Sequence, residues 1–421
     1  MTMLRTAVTA AILATLAPLQ AHAEPVDLTV HYPMPGFFKD VMDKISAKFM
    51  AENPDVKISF ASPSPTYEDG LQLVLREAGS AEEPDVSFIG LNRLRVLAEK
   101  GVSVDLTPFI KADSKITEEG FSDHLLALAR FGGQQVGLAF ATSNPIVYYN
   151  ADLVRQAGGD PDHFPTNWDD ALKLSAKIQA LGDGVSGMHY RWQGDDWMFS
   201  ALLFGDGGQM LSDDEKKVAF DGPEGKLAVK LIDRMVKDGK MPVFTSDAGL
   251  QAFTAGKVGI MYWTTGALRQ VISGVGDKFD LRTTKMPVID PVKGRLPTGG
   301  NAAVMLTHDP KKQEAAFRFL KFAAGPYGAS VVVPGTGYVP NNELAAKSPE
   351  YLGEFYQKNP LFRAGLDQMP LMVPWYAFPG SNGVKVTQTI VDNLGRIVEQ
   401  KAVPDEALAD AAADVRKLLP R

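Results

Sequence analysis

Val26-Asp-Leu-Thr-Val-His31, the loop Tyr32-Pro-Met-Pro-Gly36, the run Phe37–Glu52 and the segment Val56-Lys-Ile-Ser-Phe60 decide the fold class. Val26, Leu28 and Val30 alternate, which reads as a strand, and Pro33 to Gly36 breaks it. Phe38, Val41, Met42, Ile45 and Phe49 then recur at three- and four-residue spacing, which predicts a helix stopped by Asn53-Pro54. Val56, Ile58 and Phe60 alternate again as a second strand.

The same grammar continues outward. Leu71–Ala78 reads as a helix and Pro84–Ile89 as a third strand, so the chain is expected to be α/β, with a parallel or mixed sheet flanked by helices. Ligands of such sheets sit beyond the carboxyl ends of strands, which nominates the Tyr32–Gly36 and Gly90–Asn92 loops. Phe140-Ala-Thr-Ser-Asn-Pro-Ile-Val-Tyr-Tyr-Asn150 reads as strand, small polar turn and strand, with Ala141–Pro145 crossing from one lobe to another. Residues 146–297 carry helices at Asp169–Ala180 and Gly225–Lys237 and a strand at Val258–Tyr262, enough for a second core. Thr298–Asn301, a strand at Ala303–Leu306 and a helix at Lys311–Ala324 suggest a return to the first. Val386, Ile390, Leu394 and Ile397, then Leu408, Val415 and Leu418, mark two amphipathic helices that pack on a lobe.

Length agrees with two lobes, because single cores stop growing at roughly 250–300 residues and this chain has 421. The net charge of -7 disfavours nucleic acid and anionic lipid as partners. The absence of cysteine removes disulfides, thiolate metal sites and cysteine nucleophiles. Residues 1–23 carry Arg5, an apolar run too short to span a bilayer, and Ala21-His22-Ala23, a secretory signal expected to be cleaved after Ala23. The mature chain is therefore expected in the periplasm, and with no cysteine at the cleavage site it carries no lipid anchor there.

Catalytic signatures are missing. There is no Gly-x-Ser-x-Gly elbow, His-Glu-x-x-His helix or phosphate-binding loop, and Pro340 spoils the dinucleotide-like Gly335-Thr-Gly-Tyr-Val-Pro340. The pairs Glu82-Glu83 and Asp195-Asp196 could serve glycoside hydrolysis, but sequence neighbours point different ways. Tyr148-Tyr149 could hold ferric iron, though in a β-rich run aromatic residues ordinarily pack. A secreted carbohydrate-active hydrolase and a metal-capture protein stay as alternatives; no cofactor is expected.

What recurs is aromatic surface beside polar loops: Tyr32, Tyr67, Trp192, Trp197, Trp263, Tyr338, Trp375 and Tyr376. Flat rings cover the C–H faces of a sugar while hydroxyls and amides satisfy its oxygens, although any one ring could simply pack.

Phe140–Asn150, Gly259-Ile-Met-Tyr-Trp-Thr-Thr-Gly266, Pro297-Thr-Gly-Gly-Asn301 and Gly335–Pro340, in this order, resemble the extracellular solute-binding proteins, family 1, of bacterial ABC importers. The likeness covers the mature chain and is strongest to binders of sn-glycerol-3-phosphate and of oligosaccharides such as maltose. It implies a two-lobe periplasmic binding protein fold of type II with the ligand in the cleft: residues 24–140 plus 300–337 as lobe I, and 142–298 plus 341–421 as lobe II. It implies hinges near Ala141, Gly299 and Tyr338, a small sugar- or polyol-like solute, delivery to a permease at the inner membrane, and a monomer. By motif, Tyr67 matches a ligand-contacting tyrosine, Ser143, Thr265, Gly300 and Tyr338 match a post-hinge serine, a hydroxyl after the Met-x-x strand, a glycine of the Gly-Gly turn and the tyrosine of Thr-Gly-Tyr, and Trp192 in Arg-Trp-Gln-Gly resembles a stacking tryptophan. Trp192 and Trp263 are expected to stack on the ligand, with Tyr67, Ser143, Thr265 and the Gly300 N–H hydrogen-bonding it. Tyr32 and Asn382 complete the candidate residues. Where glycerol-phosphate binders place an arginine, this chain reads Tyr376-Ala-Phe-Pro-Gly-Ser-Asn-Gly383. That departure favours neutral sugars or polyols unless Arg191 or Arg269 supplies the charge.

Overall fold

The computed structural model describes residues 25–420, so the expected signal segment lies outside the described residues. Val26–His31 pairs in parallel with Val56–Phe60 on one side and Val86–Gly90 on the other. The helix between the first two strands runs Pro35–Glu52 and buries the face anticipated from its spacing, Phe38, Val41, Met42, Ile45 and Phe49. It starts two residues early because Pro35 suits the first helical turn, where its missing N–H is no loss. Met34 turns the chain into it at φ 55°. The next helix begins at Tyr67 rather than Leu71, since the Thr66 hydroxyl accepts the Asp69 N–H and caps it.

The first sheet has six strands. Leu296–Met305 runs antiparallel to Val86–Gly90 and to Leu138–Ser143, and Met372–Pro374 extends its early end. The second sheet orders Leu281–Lys285, Pro145–Asn150, Val258–Thr264 and Ser186–Tyr190. The two strands read on either side of Asn144 do not form a hairpin: one belongs to each sheet. The strand expected at Ala303–Leu306 is ten residues long, because Thr298, Gly299, Gly300 and Asn301 hide its early half from an apolar pattern while every residue in it is buried.

Apolar side chains gather on both faces of each sheet. Leu28, Val30, Phe38, Val86, Phe140 and Phe319 typify the core over one face of the first, and Leu71, Leu94, Leu97 and Val304 that over the other. Around the second sheet, Tyr190, Tyr262, Trp168 and Trp197 pack with the tail helices Gly383–Val398 and Pro404–Leu418, and Tyr148, Trp263 and Leu268 pack on its opposite face. Helix Pro326–Thr336 joins the two regions, placing Val332 in the first core and Ala329 and Val333 in the second. Among the described residues no helix is long and apolar enough to cross a membrane.

Candidate functional site: a cleft between two cores

Three chain segments meet where the sheets adjoin. Ser143 pairs with Gly299 and Thr142 with Gly300, while Val339 donates its N–H to the Thr142 carbonyl at 2.8 Å. Gly300 has φ +106°, and a Cβ there would lie 1.8 Å from the Ala141 carbonyl oxygen, so only glycine fits. A Cβ on Gly299 would press the Ser143 hydroxyl at 2.7 Å and the Trp197 ring at 3.3 Å. Beside this junction opens a cavity of about 520 Å³ lined from both cores.

On the first-sheet side, Tyr67 opens its helix with its ring against Gly90, where a Cβ would come within 3.2 Å. Its hydroxyl lies 3.3 Å from that of Tyr338 and accepts the Asn301 Nδ2–H at 3.1 Å. Burial raises both phenols above their usual range, so both remain neutral hydroxyls. The buried Asn301 Oδ1 has no partner among the described residues. Met34 and Asn92 bring one residue from each nominated loop to the same cavity.

The second-sheet side supplies rings and charge. Trp197 and Trp375 pack with centroids 6.3 Å apart, and the Arg191 guanidinium sits 5.8 Å from the Trp263 ring centroid. Arg191 donates through Nη1 and Nη2 to both oxygens of Asp195, at 2.9 and 2.6 Å. Asp195 Oδ1 also accepts the Trp197 backbone N–H at 3.1 Å. Asp196 points elsewhere: it is buried, its Oδ1 accepts the Trp375 indole N–H at 3.2 Å, and its Oδ2 has no partner among the described residues. Burial first, and then the neighbouring Asp195 charge, push its carboxyl up to about 7. Arg93 stands 3.0 Å from Glu68 on the opposite wall.

Of the residues chosen from sequence, Tyr67, Ser143, Trp263, Gly300 and Tyr338 line this cavity. The other four do not. Trp192 is a core residue, 6% exposed and packed so closely on Gly395 that a Cβ there would lie 3.0 Å away. Strand parity explains it: Tyr190 and Trp192 share the face toward the core, while Arg191 between them faces the cleft. Tyr32 packs edge-on against Phe60 in the first core. Thr265 is buried and its hydroxyl accepts the Asn144 N–H at 3.2 Å, bracing the crossover, while its neighbours Thr264 and Gly266 line the cavity. Asn382 donates to the Leu418 carbonyl, tying the tail together. Arg269 is also away from the cleft, donating to the Pro334 carbonyl and lying over Phe362. Trp197 and Trp375, both among the loop aromatics, were not placed in the site from sequence, and neither were Asp195 and Arg93. The adjacent tyrosines point to opposite faces of the second sheet, Tyr148 donating to the Thr264 carbonyl and Tyr149 to that of Pro161.

Residues 44–364 match the family of bacterial extracellular solute-binding proteins. The chain belongs to that family. This solute-binding protein is 26% identical over 445 aligned positions to the sn-glycerol-3-phosphate-binding periplasmic protein UgpB of Escherichia coli K12, covering 98% of this chain and 97% of the relative. Its fold matches the cyclic alpha-maltosyl-1,6-maltose binding protein of Arthrobacter globiformis at a TM-score of 0.81 and 24% identity, over 94% of this chain and 99% of that one. It also matches UgpB of Mycobacterium tuberculosis, solved with glycerophosphocholine, at 0.80 and 20% identity, over 94% and 98%. The binding protein thus has the two-lobe α/β fold of these structures, and the cavity occupies the cleft between its lobes.

Proposed function

We propose that the mature chain is a monomeric periplasmic binding protein that captures a sugar, polyol or glycerol-phosphate-like solute in this cleft and delivers it to the permease of an ABC importer, with no catalytic step. The observation that carries the reading is the cavity of about 520 Å³ lined by Tyr67 and Tyr338 together with Trp197, Trp263 and Trp375. Volumes of ~300–1,000 Å³ with apolar walls and a few polar groups suit small-molecule ligands, and rings beside hydroxyls suit a polyhydroxylated one. The relatives named above, whose names give glycerol phosphate, glycerophosphocholine or a maltose-like sugar as ligand, support the same class.

Residues 24–140 plus 300–337 form lobe I and 142–298 plus 341–421 lobe II, hinged near Ala141, Gly299 and Tyr338. A solute touching both lobes stabilises the closed state by its differential affinity. The test is a thermal-shift screen of the chain from Glu24 against sugars, polyols and glycerol phosphodiesters, followed by calorimetry. A ligand at ~100 times its dissociation constant adds about 2.7 kcal/mol of stability. A melting temperature unmoved by every solute, together with turnover of a chromogenic glycoside, would sink the transport reading in favour of a hydrolase.

A further inference from the structure

Resting on that reading, we infer that the cleft selects an uncharged polyhydroxylated solute over a phosphate ester, and that Asp195 is the residue that sets this preference by holding Arg191 in a closed fork. A phosphate-binding cleft needs cationic charge in excess of its own carboxylates. Here the two arginines of the cavity wall face three carboxylates of the same wall, Glu68, Asp195 and Asp247. Both outer nitrogens of Arg191 donate to Asp195, which sets a full counter-charge against it. Arg93 stands 3.0 Å from Glu68. Asp247 is exposed at the rim, and Asp196 lies buried behind the Trp375 indole it accepts from. The wall therefore sets three carboxylates against two guanidinium groups, and a dianion entering it meets a lining of net negative charge.

Asp195 cannot easily give way. Besides Arg191 it accepts the Trp197 backbone N–H that opens the helix Trp197–Phe204, so swinging it aside strands a helix-start donor as well as an arginine. The remaining polar side chains of the wall are neutral, among them the hydroxyls of Tyr67, Tyr338 and Ser143 and the amides of Asn92, Gln270 and Gln388. These are donors and acceptors for hydroxyl groups, set beside three tryptophan rings that suit C–H faces.

The experiment compares wild type, Asp195→Asn and Glu68→Gln by thermal shift and calorimetry, with maltose, trehalose and xylitol as uncharged probes and inorganic phosphate and sn-glycerol 3-phosphate as anionic ones. Wild type is expected to respond to an uncharged probe and to neither anionic one. Asp195→Asn, which leaves Arg191 without its counter-charge, is expected to bind both anionic probes at least about tenfold more tightly than wild type. Glu68→Gln is expected to gain in the same direction through Arg93, and it carries the test should Asp195→Asn not fold, since Glu68 lies on a partly exposed helix turn. Wild-type affinity for either phosphate probe equal to or above that for the uncharged probes overturns the inference, as does the lack of any gain in both variants. Should no uncharged probe bind wild type while the variants gain phosphate binding, the solute class proposed above fails and the charge compensation stands.

Discussion

Arg95 and Glu215 meet in a two-bond fork across the lobes, Nη1 donating to Oε1 and Nη2 to Oε2, each at 2.6 Å. Arg95 belongs to the helix Leu94–Glu99, whose Leu94 and Leu97 are buried against the first sheet. Glu215 sits at φ 57° in the turn closed by the Leu211–Val218 bridge, and both bridge residues lie in the second-sheet core. Tyr376 donates its hydroxyl to Glu215 Oε1 at 2.9 Å, and Arg95 also holds Glu99 Oε1 and the Ala377 carbonyl. The Arg95 hydrogen bond is the main cause keeping the Glu215 carboxyl below the usual glutamate range.

This fork lies outside the ligand cavity yet joins the two lobes, so it should favour the closed arrangement. Glu215→Gln is expected to weaken solute affinity by roughly threefold to tenfold, a modest effect because the partly exposed carboxylate is screened by solvent. The difference from wild type should shrink as salt is added. Calorimetry at two ionic strengths reads both effects, and identical affinities for wild type and variant would remove the fork from the closing equilibrium.

Trp192 and Tyr67 separate packing from binding. Trp192→Ala should cost roughly 3–5 kcal/mol of stability, the usual range for an aromatic cavity in a core, with the affinity of the folded fraction unchanged. Tyr67→Phe keeps the ring and removes the hydroxyl that accepts from Asn301. It should lower affinity by about tenfold and, by leaving the buried Asn301 amide without its acceptor, cost about 1–3 kcal/mol of stability, less than the Trp192 change. A Trp192 variant that folds well and loses affinity would return that residue to the site.

Gly300→Ala should fail on geometry alone. The left-handed backbone and the contact with the Ala141 carbonyl together are expected to cost roughly 3 kcal/mol or more. Urea unfolding monitored by tryptophan fluorescence measures it, and a wild-type midpoint would show that the junction can rearrange at little cost.

Three buried groups set opposing pH dependences. Burial lowers His31 and His189 to about 4 from 6.5, so each is neutral when folded and takes up a proton more readily when unfolded. Their contribution is complete above pH 6.5 and is lost as pH falls toward about 4. Asp196, raised to about 7 from 3.8, works the other way: its ionisation weakens the folded state as pH rises through that interval. Each group changes stability by about 1.4 kcal/mol per pH unit inside its window. Asp196→Asn, which keeps an acceptor for Trp375, should therefore be more stable than wild type by up to about 4 kcal/mol at pH 8. That advantage should shrink as pH falls and vanish below about pH 3, where the wild-type carboxyl is protonated in both states. Denaturant midpoints of the two proteins at both ends of the range decide it, and a gap independent of pH would show that Asp196 ionises without cost.

Much of this architecture was legible residue by residue. The Phe38–Phe49 spacing placed the first helix face, and the crossover at Ala141–Pro145 could be seen as a break between two strand signals. Five cleft residues could also be named, through short motifs whose order resembled a known family. Trp192 misled because a tryptophan in a polar loop looks the same whether its ring faces solute or core; only the alternation from Tyr190 through Arg191 separates the two. Thr265 and Asn382 misled in a similar way, since their hydrogen bonds run to Asn144 and Leu418, partners that proximity in sequence does not suggest.

The amino-acid sequence by itself determined the α/β class and the presence of two cores, because strand and helix periods are local properties and 421 residues exceed what one core can bury. Tertiary structure alone decided what the cleft can hold. Tyr67 reaches Tyr338 across 271 positions and Arg95 reaches Glu215 across 120, and whether Arg191 is free or already paired depends on how Asp195 turns at the start of a helix. Side-chain direction and long-range contact follow from packing of the whole chain, so the site's charge balance emerges only once the lobes are built.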